Sequence, residues 1–209
     1  MKRLVKKSSQ NFIHVTNIDY LESILNNGLL PGQSSGSFYD NSLMNNSGVY
    51  VSTQEIKNER LSELNELGSV LLELSLDTNN MVPDPEYFNL TGPHALSTSD
   101  IIKIAHYVAD SNLFQQNYLS KFNIEDYEDV EEFVDNEYDK IIDELYVNNF
   151  ELAKLLQPGL FYELSDFVYL GNIPTSSILK IYISNENNEI KEFNPSDREE
   201  IIEFINNKL

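Results

Sequence analysis

Cysteine is absent from this chain of 209 residues. That excludes disulfides, Cys-bound zinc and thiol nucleophiles. It also fits a reducing compartment, so the expected location is cytoplasmic, in the producing or the target cell. Cationic side chains are scarce: 14 Lys and Arg face 34 Asp and Glu, a net charge of −20. Such a surface repels phosphate backbones, which argues against direct DNA binding. It favours solubility and leaves room for a basic protein partner. No apolar run approaches the roughly 20 residues of a membrane span. The opening MKRLVKKSSQNF is basic, but the apolar stretch of about 7–15 residues that a secretory signal needs does not follow it. A Walker loop, a G-x-G-x-x-G turn and a nucleophile elbow are all missing, as are internal repeats.

What is present suits one domain over residues 1–209, with 41% hydrophobic residues to build a core. Alternation predicts strands at Phe12–Thr16, Gly48–Thr53 and Val70–Asp77, and later at Phe167–Leu170, Ile178–Ser184 and Ile190–Phe193. Asp19–Asn27 reads as a helix with Leu21, Ile24 and Leu25 on one face, Asn17 or Asp19 as its cap, and Gly28 at its C-terminal end. Pro31–Ser47 reads as a loop. Gln54–Leu67 reads as a helix stopped by Gly68, and Met81–Pro93 as irregular. Between about 97 and 156 the periodicity is helical. Ile101, Ile104, Ala105, Val108 and Leu113 suit one helix, and Tyr127, Val130, Phe133, Val134, Tyr138, Ile141, Ile142 and Leu145 suit a longer one. The longer one opens on Glu125, Asp126, Glu128, Asp129, Glu131, Glu132 and Asp135, which read as a solvated face. Pro158-Gly159 ends this helical insertion. Asn187-Asn188 reads as a turn. A last helix has Ser196 as N-cap, Glu199 completing a capping box, and Ile201, Ile202 and Ile205 as its buried stripe.

Three segments carry chemistry. FIHVTNIDYLESILNNGLLPG, Phe12 to Gly32, sets a histidine in a strand before a helix that ends in Gly-Leu. GVYVST, Gly48 to Thr53, sets a tyrosine in a second strand. DFVYLGNIPTSSI, Asp166 to Ile178, opens a strand with an acid and continues as Gly-x-Ile-Pro. Together they resemble the three motifs of the ADP-ribosyltransferase superfamily. The third is similar to that of cholera-type toxins. The resemblance covers about 40 residues, in the right order.

It implies an α+β fold, a split antiparallel β core of two small sheets; the acidic helical insertion, from its placement alone, is expected to be a lid or partner-recognition element. It implies that NAD is the substrate. His14 would bond a ribose hydroxyl, the backbone of Val15 would bind the carboxamide, and Thr16 would support the strand or the dinucleotide. Tyr50 would stack on nicotinamide, Ser52 and Thr53 would brace the site, and Asp166 would take the catalytic acid position. The chemistry is coherent without a metal. Cleaving the bond between C1′ and nicotinamide builds an oxocarbenium-like centre, which a carboxylate stabilises. An aromatic face holds the leaving ring, and a neutral imidazole holds a hydroxyl.

The chain departs from the pattern in three places. Asp166 is one methylene shorter than the usual glutamate. Leu164 stands where arginine-modifying toxins place a second glutamate, which argues against an arginine acceptor, and Glu163 is out of phase on a strand. Val15 replaces a frequent glycine. Each motif residue alone has a simpler reading, as a core histidine, a filler tyrosine or a turn-capping aspartate. His94 and His106 are too dispersed for a metal site, and Asp84-Pro-Glu86 lacks the ligand alternation of a calcium loop.

The expected function is mono-ADP-ribosyl transfer from NAD to a protein or small molecule, with nicotinamide release. A non-catalytic acidic binder or decoy on the same fold is the alternative. An RNA 2′-phosphotransferase-like enzyme is disfavoured, because the chain's only arginines, Arg3, Arg60 and Arg198, lie outside the motifs.

Overall fold

Strand β1 (Gln10–Asn17) begins the β-rich part of the chain, and its neighbours dictate everything around the site. The computed structural model describes residues 10–31, 48–67, 69–88, 96–145, 151–156, 164–185 and 187–206. The loop expected after Pro31, the stops at Gly68 and Pro158-Gly159, and His94 and Glu163 lie outside these residues. The chain divides into two compact units, Met1–Met81 with Ser165–Leu209, and Val82–Leu164. The second contains the whole stretch 97–156 expected as an insertion.

In the first unit, β2 (Gly48–Thr53), β3 (Ser69–Leu76), β5 (Asp166–Leu170), β6 (Ile178–Ser184) and β7 (Ile190–Phe193) join β1. With the short β4 (Met81–Pro83) they form one seven-stranded sheet of order β4-β5-β2-β1-β3-β6-β7. The described pairings are antiparallel. The protein is therefore a mixed α/β molecule, compatible with α+β. The sequence predicts two small sheets; the structure joins them into one. The join is slight. β1 pairs with β3 over eight positions and β2 with β5 over five, but β1 meets β2 at only two, Phe12↔Thr53 and Ile13↔Ser52. β4 falls in a stretch read as irregular, and its Pro83 explains why: proline offers no ladder donor and is tolerated in sheets at an edge strand.

Alternation assigns the faces. Phe12, His14 and Thr16 share one face with Leu74, Leu72 and Val70 of β3. Ile13 and Val15 share the other with Glu73 and Leu71. That second face is covered by the segment after β2. It is not the single helix expected over 54–67. A 3-10 turn (Gln54–Ile56) leads to α2 (Lys57–Ser62) and α3 (Leu64–Leu67). Leu64 is buried with Ile13, Leu71 and Tyr182, and Val15, Ile56 and Leu61 pack against that cluster.

Helix α1 (Leu21–Asn27) follows a 3-10 turn, Ile18–Tyr20, whose Asp19 N–H is capped by the Asn17 side chain. It buries Leu21, Ile24 and Leu25, as its periodicity predicts. Gly28 ends it with φ +79°, a backbone state that glycine adopts without steric cost. A Cβ there would run into the Ile173 carbonyl oxygen. The next residue, Leu29, exchanges two backbone hydrogen bonds with Ile173, at 2.9 and 3.0 Å. The Gly-Leu of the first motif and the Gly-x-Ile-Pro of the third thus form one corner.

At the C-terminal end, α7 (Arg198–Asn206) starts two residues after Ser196. The cap is Asp197, whose carbonyl accepts from Ile201; the Ser196 hydroxyl bonds the Asp197 carboxylate instead. Ile201 is fully buried, whereas Ile202 is 41% exposed. Phe204 takes the packing role expected of Ile202, its ring 5.3 Å from Phe193.

The second unit contains α4 (Thr98–Ala109), α5 (Asn112–Asn117) and α6 (Val130–Glu144). The first predicted helix is split, because Ser111 caps a new start by accepting from the Phe114 N–H. Phe114 is consequently the buried residue rather than Leu113. In α6, Asp129 accepts from Glu132 N–H at 2.9 Å, and the Glu132 carboxylate accepts from Glu128 N–H at 2.6 Å. Such reciprocal capping fixes the start at Val130, so Glu125 and Asp126 lie in a preceding 3-10 turn. All seven carboxylates between 125 and 135 are exposed, as a solvated face requires. The helix kinks at Glu137, whose carboxylate accepts from the Tyr127 hydroxyl at 2.6 Å. That bond, ahead of burial, pushes the Tyr127 pKa up to about 12. No described helix is long and apolar enough to cross a membrane.

Candidate functional site

The site forms where β5, β2 and β1 run side by side. Asp166 is the first residue of β5 and lies directly opposite Ser52. Opposed residues in an antiparallel pair share a face, so the hydroxyl and the carboxylate meet: Ser52 Oγ donates to Asp166 Oδ1. Ser165 Oγ donates to the other oxygen at 2.8 Å. Hydrogen bonds to an ionised carboxylate are about twice as strong as neutral ones, so two hydroxyls hold this one in a defined orientation. Thr53 contributes through its backbone, its N–H donating to the Ser165 carbonyl at 2.7 Å. Its Oγ1 is buried without a hydrogen-bond partner among the described residues.

His14 sits one residue beyond the end of the β1–β2 ladder. Its Nδ1 lies 2.7 Å from the Tyr50 carbonyl oxygen. A carbonyl only accepts, so Nδ1 carries the proton and donates. The side chain thereby bridges the two strands just past the point where their ladder stops. Burial holds the imidazole below its usual pKa, and the bond to Tyr50 opposes that without reversing it. The ring is neutral at pH 7, with Nε2 left as an acceptor. Tyr50, two residues before Ser52, lies on the Ser52–Asp166 face by alternation and is partly exposed, whereas His14, next to Ile13, belongs to the opposite face. Thr16 pairs with Val70 and is partly buried. Val15 packs against the Ile13–Leu64 cluster. Leu164 is buried, 4% exposed, and offers no polar group to an acceptor.

No protein-family model and no curated protein matches this sequence.

The structure adds residues outside the motifs. Arg60 of α2 places a guanidinium nitrogen 3.9 Å from Asp166 Oδ1, with Glu63 at the same distance from its other nitrogen. One turn earlier, Lys57 Nζ donates to Glu73 Oε2 at 2.8 Å and to the Tyr182 hydroxyl at 2.7 Å, and it sits 4.2 Å from the centre of the Tyr182 ring. Asn11 donates to the second Glu73 oxygen at 3.4 Å. Burial pushes the Glu73 pKa up, but the bonds from Lys57 and Tyr182 outweigh it and hold the carboxyl below its usual range. Burial pulls Lys57 down, and Glu73 and Tyr182 hold it above its usual value. Burial raises the Tyr182 hydroxyl. The available sequence signal was a period: Lys57 and Arg60 are three apart on a helix, and Glu73 is a charge inside an apolar strand.

The other histidine in the described residues, His106, pairs through Nε2 with Asp135 at 2.7 Å. Among the described residues no group of three or more His, Asp or Glu could hold a metal ion.

Proposed function

We propose that this protein binds NAD at the gap between β1 and β2 and cleaves its nicotinamide–ribose bond, transferring ADP-ribose to an acceptor. The observation that carries this reading is the convergence of motif residues distant in sequence. Ser52 and Asp166 share two strands and a hydrogen bond, and His14 bonds the Tyr50 backbone beside them. The first and third motifs also meet at the Leu29–Ile173 corner. Three independent segments need not have met at all.

The residues present suit the dinucleotide. Neutral His14 offers Nε2 to a ribose hydroxyl. Tyr50 offers an aromatic face to nicotinamide. The buried, unsatisfied Thr53 hydroxyl is a group that a polar ligand would satisfy. In the reaction, the C1′–N bond breaks and its electron pair leaves with nicotinamide, which becomes neutral. Asp166 stabilises the positive charge that develops on the ribose. The acceptor's lone pair then forms the new bond to C1′, and its proton passes to solvent. Leu164 supports an acceptor other than arginine, and the net charge of −20 favours a basic protein target over nucleic acid.

The test is incubation of the purified chain with NAD labelled on its adenylate moiety, in the presence of a cell lysate. Label should pass to an acceptor from the wild type and not from Asp166→Ala or Tyr50→Ala. Absence of any NAD binding would contradict the proposal. The seven exposed carboxylates between 125 and 135 favour a second reading, a non-catalytic binder of a basic partner. Salt-sensitive partner binding that survives substitution of His14, Tyr50 and Asp166 would select it.

A further inference from the structure

Four strand pairings place five residues in one row across the sheet: Asp166, Ser52, Ile13, Glu73 and Lys180. Directly opposed residues share a face, so both carboxylates of the row point to the side covered by the segment after β2. They stand three strands apart, about 14 Å at the usual spacing. Between them runs the two-position join of β1 and β2. Helix α2 presents two cations to this row, three residues apart. Lys57 reaches Glu73 on the β3 side, and Arg60 reaches Asp166 on the β5 side.

The two ends differ in strength. Lys57 has a short ion pair, a bond to the Tyr182 hydroxyl and a stack on its ring. The side chains of that ion pair are 18% and 11% exposed, so it is a firm anchor. The Arg60 end is a long pair at 3.9 Å between side chains 26% and 27% exposed, shared with Glu63. Pairs of that kind contribute little to folding, so stability does not account for the placement of Arg60. Orientation does. Ser52 of β2 and Ser165, just before β5, donate to Asp166, and Arg60 approaches the same oxygen as Ser52 from α2.

We infer that Arg60 is a positioning residue for Asp166, delivered by α2, which Lys57, Glu73 and Tyr182 fix to the opposite side of the β1–β2 join. This inference rests on the ADP-ribosyl transfer reading above. Asp166 is a short acid for its task. Its carboxylate must therefore be presented at the right place by its surroundings, and Arg60 with Ser52 does so. A displaced carboxylate would still permit NAD to bind and would fail to meet the charge on the ribose.

The test compares steady-state nicotinamide release from NAD by wild type, Arg60→Ala, Arg60→Lys and Asp166→Ala, with a thermal melt of each. Arg60→Ala should lower kcat on the order of 10- to 100-fold, as small misplacements of a catalytic group do. KM for NAD should change little, because a group acting in the transition state alone leaves ground-state binding intact. The melt should be unmoved, and Arg60→Lys should restore most of the rate. An unchanged kcat in Arg60→Ala would overturn the role of Arg60. So would a raised KM at unchanged kcat, or a lost rate that follows a lowered melting temperature. In those cases release by the wild type, abolished in Asp166→Ala, would still uphold the transfer reading. No release by the wild type would overturn the transfer reading and the positioning role with it.

Discussion

In the proposed function, His14 couples protonation to NAD binding. Its Nδ1–H is committed to the Tyr50 carbonyl, so only the neutral ring has an acceptor left at Nε2. Burial lowers its folded-state pKa below the ordinary 6.5. A lowered base is protonated more readily in the unfolded chain, so its contribution to stability is fully present above pH 6.5 and is lost as pH falls through the lowered value. NAD affinity should follow the same direction, level from pH 7 to 8 and declining as pH falls through the lowered value. Calorimetric titrations of NAD at several pH values check this, and His14→Gln should flatten the profile. Part of this site was legible residue by residue: the motifs name His14, Tyr50, Ser52 and Asp166, of which Ser52 and Asp166 meet side chain to side chain, while His14 reaches only the Tyr50 backbone and lies on the opposite face of β1 from Ile13. Arg60 was not legible. It approaches Asp166 from more than a hundred residues away, through a helix held by the packing of Leu61 and the Lys57 anchor to Glu73 and Tyr182.

Elements carry the next layer. The corner at Gly28 depends on a positive φ and on close approach to Ile173. Gly28→Ala should therefore destabilise the fold by about 2 kcal/mol or more, combining backbone strain with a steric clash. A denaturant melt measures it, and an unchanged midpoint would contradict the account. The α2 anchor makes a second prediction. Glu73, held below its usual range, contributes stability above pH 4.5 that is lost as pH falls through its lowered value. Lys57, held above 10.5, contributes stability that is lost only as pH rises through its raised value. Lys57→Met, which strands the mostly buried Glu73 carboxylate, should cost on the order of 3 kcal/mol at neutral pH. That cost should shrink under acid, where Glu73 is protonated. Strand positions were legible because β3 and β6 are short, mostly apolar runs, and they are buried over most of their length. Helix boundaries were less so: Ser111 and Asp129 override the apolar period with local capping, and Asp197 replaces Ser196 by the same kind of competition.

The whole molecule is an acidic body carrying −20 charges. Self-repulsion on that scale weakens the compact state, and salt screens it over about 8 Å at physiological ionic strength. The melting temperature should rise between about 10 and 150 mM salt; a fall would show that attractive pairs such as Lys121–Glu144 dominate instead. Composition revealed this charge, and periodicity revealed a helical stretch within Val82–Leu164. Neither could reveal that the expected pair of sheets is a single sheet with a two-position join, because strand order is set by contacts between residues far apart in sequence. Beside that join Ser52 meets Asp166 and His14 bonds the Tyr50 carbonyl, and the proposed function requires these residues to act together on NAD. The most direct test is nicotinamide release by the purified wild-type chain beside Asp166→Asn, which keeps the shape of the side chain and removes its charge. Release by the wild type and its loss in Asp166→Asn is the predicted result. Equal release by both, or none by the wild type, would contradict it.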